Sequence, residues 1–338
     1  MKKTFLIIIF LFFTNNLVAD TLEYEGLEKL SKNNTFMNDR GKPYSLEEIS
    51  DKKNSLVIIY NHGSIQDHKQ DSCKAKPKFG YLWDAAVVPA ILKLHNKKIN
   101  GLEVKIYRLC SGVKGMSVKN QKKYRKELKS KGKINLVDEH NNIKRQNIIL
   151  NEVQKLKNLG FDKIILSGYS AGRWSSLILQ SRYPEKIIGT IAFNPAFAGP
   201  KKEWQKKYPE WGAFREDSIN KFNKADRINA VVFAHQDDIF EDPQTLSFFQ
   251  NFKDLELIDY SELKPTTCTW ADGDKKMTSD KGHNIPQSKC FTKYLEDKNY
   301  LISFLKKLFH LTRFLENMSL LIEVLYKCFL HHLTMSFY

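Results

Sequence analysis

The sequence lacks a run of apolar residues long enough to cross a bilayer as a helix, which takes about 20. The N-terminal run from Phe5 to Phe13 falls short, and the apolar C-terminal segment is interrupted by Glu323, Lys327, His331 and His332. An internal repeat and a second hydrophobic core are also missing, which argues against a solenoid or a multidomain chain. Metal-ligand spacing is absent: the nearest approach, Asp67, His68 and Asp71, matches no recognised pattern and reads as a solvated loop. Acidic residues are outnumbered, 38 against 54 Lys and Arg, which leaves a net charge of +16 over 338 residues. The lysines are spread through the chain rather than gathered on one periodic face. Because distribution rather than total charge marks a binding footprint, no nucleic-acid partner is expected.

What is present suits one medium-sized domain. A hydrophobic fraction of 42% can bury a large core. Apolar runs predict strands at Leu56–Tyr60, Leu102–Leu109, Lys163–Leu166, Ile187–Phe193, Ala230–Ala234 and Leu255–Tyr260. Helical patterns alternate with them at Ala85–Leu94, Asn141–Leu159, Trp174–Ser181, Pro243–Phe252 and Lys289–Leu308. The alternation predicts an α/β fold with a mostly parallel central sheet and helices on both faces. In such folds ligands bind outside the carboxyl ends of the strands.

One strand leads directly into Gly168-Tyr-Ser-Ala-Gly172. A serine at a sharp strand-to-helix turn takes a strained backbone that aims its hydroxyl outward, and small neighbours let chain and substrate approach. Ser170 is therefore a candidate nucleophile. The strand, elbow and helix resemble the α/β-hydrolase superfamily, in particular serine esterases and dienelactone hydrolases. The resemblance covers about residues 50 to 307, and it implies an acid after the nucleophile and a histidine last. The strand Ala230–Ala234 ends in His235-Gln-Asp-Asp-Ile-Phe240, which is similar to the acid-bearing turn; Asp238 is the choice and Asp237 the alternative. Gly282-His283 is similar to the pair that carries the base, so His283 is the base candidate. Upstream, Asn61-His62-Gly63-Ser64 follows another strand, and the resemblance implies an oxyanion hole made by the backbone N–H groups of Ser64 and Ala171. Arg173 departs from the small residue that many relatives carry there; it narrows the site or brings a positive charge near it.

The chemistry stands apart from the resemblance. A serine hydroxyl is a poor nucleophile at neutral pH, so an imidazole must take its proton and a carboxylate must orient and stabilise that imidazole. Ser170, His283 and Asp238 fill those roles, and no cofactor or metal is required. Each has a plainer reading: a turn serine, a loop histidine beside a flexible glycine, a solvated carboxylate ahead of Pro243.

Residues 1–19 read as a signal peptide, with basic Lys2 and Lys3, the apolar run, and Leu17-Val18-Ala19 before Asp20. The expected location is periplasmic or secreted. Residues 20–49 form an N-terminal segment, 50–310 the catalytic domain, and 311–338 a helical extension that docks on the domain, contacts a membrane surface or mediates association. Export permits disulfides among the five cysteines; Cys73 with Cys110 and Cys268 with Cys290 are the pairings offered, and Cys328 is left over. An insertion over 197–223, with Trp204, Tyr208, Trp211 and Phe214, reads as a cap over the site or as aromatics burying the insertion on the core. The function expected is an exported serine hydrolase acting on a carboxylic ester, or an amide or peptide. The alternative is a non-catalytic binding protein of the cell envelope with the same fold.

Overall fold

The computed structural model describes residues 34–63, 87–111, 118–132, 141–196, 206, 209–271, 273, 275–277 and 282–309. Among them nine strands form one sheet: β1 (Thr35–Met37), β2 (Pro43–Tyr44), β3 (Ser55–Asn61), β4 (Lys98–Ile99), β5 (Leu102–Leu109), β6 (Lys163–Tyr169), β7 (Gly189–Phe193), β8 (Ala230–Ala234) and β9 (Leu255–Asp259). Their order is β2-β1-β5-β3-β6-β7-β8-β9, with β4 paired to β5. From β5 to β9 every neighbour pair on this path is parallel; β1, β2 and β4 add antiparallel pairings at one side.

The central strands are apolar throughout because both faces are covered. All seven residues of β3 are buried. Leu56, Ile58 and Tyr60 join a core with Ile91 and Leu94, whereas Val57 and Ile59 join one on the opposite face with Ile149 and Val153. The first face is covered by α1 (Pro89–Leu92) and, later in the chain, by the segment around Phe291 and Leu305. A second helix, α2 (Val118–Lys131), precedes α3 (Asn141–Asn158), α4 (Ala171–Arg182), α5 (Glu210–Phe222), α6 (Lys289–Asp297) and α7 over residues 300–309. Helices α3 and α4 pack on the second face together with Phe222 of α5. This two-sided arrangement on a mostly parallel sheet is the α/β-hydrolase fold.

Several expected elements differ. Pro243–Phe252 yields only a short 3-10 turn over Ser247–Asn251. Asp242 and Thr245 bond reciprocally, side chain to N–H, as at a helix start, but the backbone bonds that follow close i→i−3 rings, Ser247 N–H to Gln244 O and Phe249 N–H to Leu246 O, so the run stays 3-10. Lys289–Leu308 is two helices, parted at Asn299, whose φ of 53° is left-handed. Helix α1 is shorter than expected, and Ala85 and Ala86 lie outside the described residues. In the proposed cap, residues 210–222 form α5, which contacts α2 through an edge-to-face pair of Tyr124 and Phe214, 5.3 Å apart, and through Arg125 with buried Glu210.

Candidate active site

Strands β3 and β6 lie side by side, yet the chain departs from them in opposite directions across the sheet, β3 next to β5 and β6 next to β7. A crevice at the carboxyl ends of such a pair is the usual ligand position in open α/β sheets. Register places Asn61 opposite Gly168, so the turn after β3 lies directly against the elbow after β6.

The elbow is tight. A Cβ added at Gly168 would lie 2.2 Å from Asn61 O, and one at Gly172 would lie 2.3 Å from His62 O. Ser170 between them has φ 56° and ψ −124°, a conformation that costs a non-glycine residue about 1–3 kcal/mol. The strain turns the chain abruptly from β6 into α4 and leaves Ser170 partly exposed at the helix start. Among the described residues the Ala171 N–H, first of that helix, has no acceptor. Helix starts leave such donors unpaired and favour negative charge.

His283 lies in a short 3-10 segment, Gly282–Gln287, and its Nδ1 is 2.7 Å from Asp238 Oδ2. Asp238 is completely buried, and its other oxygen accepts the Phe240 N–H at 2.8 Å. Asp237 is half-exposed and faces His235 at 3.9 Å. Of the two adjacent carboxylates, Asp238 therefore meets the histidine. The His283 ring is held between Tyr169 and Phe240, each with ring centroids 4.9 Å away. Among the described residues no hydrogen bond joins Ser170 to His283; such bonds are commonly long before substrate binds.

The histidine segment is fixed by groups that carry no recognisable motif. Tyr169 donates to His283 O at 2.8 Å, Asn194 Nδ2 donates to the carbonyls of Gly282 and His283 at 3.0 and 2.9 Å, and Tyr260 donates to Asn194 Oδ1 at 2.7 Å. Asn194 and Tyr260 each follow directly on a strand, β7 and β9, and that strand-end position is the signal sequence reading could have used. Cys268 and Cys290, bracketing His283, are disulfide-bonded with Cα atoms 5.5 Å apart. Cys110 is also disulfide-bonded; Cys73, offered as its partner, lies outside the described residues.

The turn after β3 is equally constrained. His62 Nδ1 donates to Gly63 O at 2.6 Å, and Nε2 accepts the Ser111 N–H at 3.2 Å. Burial, aided by the nearby Arg145, pushes the His62 pKa down to about 3, so the ring is neutral. Arg145 donates to His62 O at 2.6 Å. Ser64, the second oxyanion donor expected, lies outside the described residues, as do Asp67, His68 and Asp71.

No family model matches the chain, and no curated protein matches it. Solved structures similar to it include Est1E from Butyrivibrio proteoclasticus, 14% identical over 80% of this chain and 92% of that one, with a TM-score of 0.40. The Pyrococcus furiosus esterase Pf2001 is 15% identical over 75% and 84%, with a TM-score of 0.39. A protein assigned as a dipeptidyl aminopeptidase IV from Bacteroides ovatus is 16% identical over 67% of this chain, TM-score 0.41, but the chain spans only 32% of its length. The fold assignment rests on strand order and layering rather than on these scores.

Proposed function

We propose that the protein is an exported serine hydrolase that cleaves a carboxylic ester. The observation that carries this reading is the 2.7 Å bond between His283 and buried Asp238, which follows β8 at the same carboxyl end of the sheet as the strained Ser170 elbow after β6. Ser170 Oγ attacks the ester carbonyl carbon as its proton passes to His283 Nε2; Asp238 holds Nδ1–H and stabilises the imidazolium. The oxyanion is held by the N–H groups of Ala171 and Ser64, donors each worth about 3–4 kcal/mol in such sites. Collapse expels the alcohol, which takes the proton from His283. Water then repeats the sequence on the acyl-enzyme, releasing the acid and restoring Ser170. Amide or peptide cleavage is the same chemistry with a poorer leaving group.

Labelling with a fluorophosphonate probe, wild type beside Ser170→Ala, tests the reading. Label is expected on wild type alone. Asp238→Asn should lower kcat/KM for a short-chain aryl ester by a factor on the order of 10²–10⁴ and Asp237→Asn by less than about threefold. Unlabelled, inactive wild type would favour a binding protein instead.

Export is supported by the N-terminal pattern and by the disulfide between Cys268 and Cys290, a bond at home in oxidising compartments. No described helix is long and apolar enough to cross a membrane. Mass spectrometry of the mature protein is expected to find Asp20 at the N-terminus; an intact Met1 in the envelope fraction would contradict it.

A further inference from the structure

Arg173, three residues after Ser170, is the one feature of the elbow that this chemistry leaves unused. Its side chain is fully buried, and Nε, Nη1 and Nη2 have no hydrogen-bond partner among the described residues. The guanidinium lies over two rings, 5.1 Å from the centroid of Tyr169 and 4.6 Å from that of Phe193. These rings end β6 and β7. Tyr169 is also the ring on which His283 rests, so cation and imidazole share one aromatic partner.

A buried charge without a counter-charge is strongly unfavourable, and arginine does not escape by losing its proton. Ring faces offset only part of that cost. The groups in electrostatic reach of Arg173 are the phenols of Tyr60, Tyr169 and Tyr260 and the carboxylate of Asp238. Burial pushes the Tyr260 phenol well above its ordinary value, with Asp238 adding to the effect, so that phenol stays neutral. Asp238 is the carboxyl group among these, and it is the one bonded to His283 Nδ1. Glu241, also in electrostatic reach of Asp238, is forked to Arg215 at 2.8 and 3.1 Å, and burial raises its pKa to about 7.

We propose that Arg173 is a positioning residue whose buried guanidinium, sharing the Tyr169 ring with His283, opposes protonation of the imidazole that Asp238 holds. In effect it keeps the imidazole free to accept a proton at lower pH. The role in turnover rests on the serine-hydrolase reading; the charge coupling does not.

The test is the titration of the His283 ring, followed by NMR in wild type, Arg173→Met and Arg173→Gln, with the acid limb of kcat/KM for an aryl ester measured alongside. Removing a cation favours the imidazolium, so the midpoint should move up by about one pH unit in both variants, the scale of shift typical of a neighbouring charge. Both substitutions lack charge but differ in polarity, so a pure packing effect would separate them. A midpoint that stays in place, or moves downward, overturns the proposal. Should neither variant fold, Arg173→Lys decides: it keeps the cation, so the His283 midpoint must stay at its wild-type position, and an upward shift overturns the proposal. An upward shift in a protein without esterase activity would leave the coupling standing and remove the proposed function.

Discussion

His62 shows how residue type alone misleads. A histidine beside a candidate nucleophile invites the role of base, but both of its ring nitrogens are committed, one to Gly63 and one to Ser111. Protonation would put a second N–H against the Ser111 donor. The consequence is a stability signature. In the unfolded chain the ring takes a proton near its ordinary value of 6.5; in the folded protein it holds out to about 3. Between those limits the unfolded state binds more protons, so this contribution is complete above pH 6.5 and is lost as pH falls toward 3. Thermal melts from pH 7 to pH 3 should reveal a loss on the order of a few kcal/mol that His62→Asn reduces. An equally steep acid slope in the variant would assign the loss to other groups. Sequence reading put His62 in the oxyanion turn on motif alone; its neutrality depends on burial and on Arg145, 83 residues away, which no local pattern connects.

Among the elements, those built from continuous apolar runs were legible and those built from exceptions were not. The strands β5 and β8 coincide with their expected limits because their residues alternate between two buried faces. The pieces β1, β2 and β4, two or three residues each, carry no run to detect. The break at Asn299 was hidden because apolar residues continue past it on the same face, through Leu301, Phe304 and Leu305. The histidine segment is a third case. It is short, non-helical by pattern, and held by Asn194, Tyr169 and the Cys268–Cys290 bridge rather than by its own periodicity. Closing a loop of this size typically contributes about 2–4 kcal/mol. Cys268→Ser, Cys290→Ser and the double variant should therefore lose equal stability, read as equal shifts in melting temperature, with a parallel drop in turnover. Unequal single variants would show that the thiols act separately.

At the scale of the whole molecule, the last described helix closes one face of the sheet. Leu301, Phe304, Leu305, Leu308 and Phe309 are all buried in the core that contains Ile58, Ile165, Ile191 and Val231. A Cβ at Gly189, the first residue of β7, would lie 2.7 Å from a Leu308 methyl, so strand and helix meet without a side chain between them. Burying each such side chain contributes about 1.5–3 kcal/mol, and losing all five approaches the 5–15 kcal/mol net stability of an ordinary domain. A chain ending at residue 299 should give no cooperative thermal transition; a sharp one would show that α7 is dispensable.

The same contact sets a schedule. A ribosome makes this chain from the β1 end, but part of the cover over the middle of the sheet, α7, emerges more than two hundred positions after β3. Until it does, Ile165 and Ile191 lack that part of their cover, and the nascent protein carries an open, adhesive patch late into its synthesis.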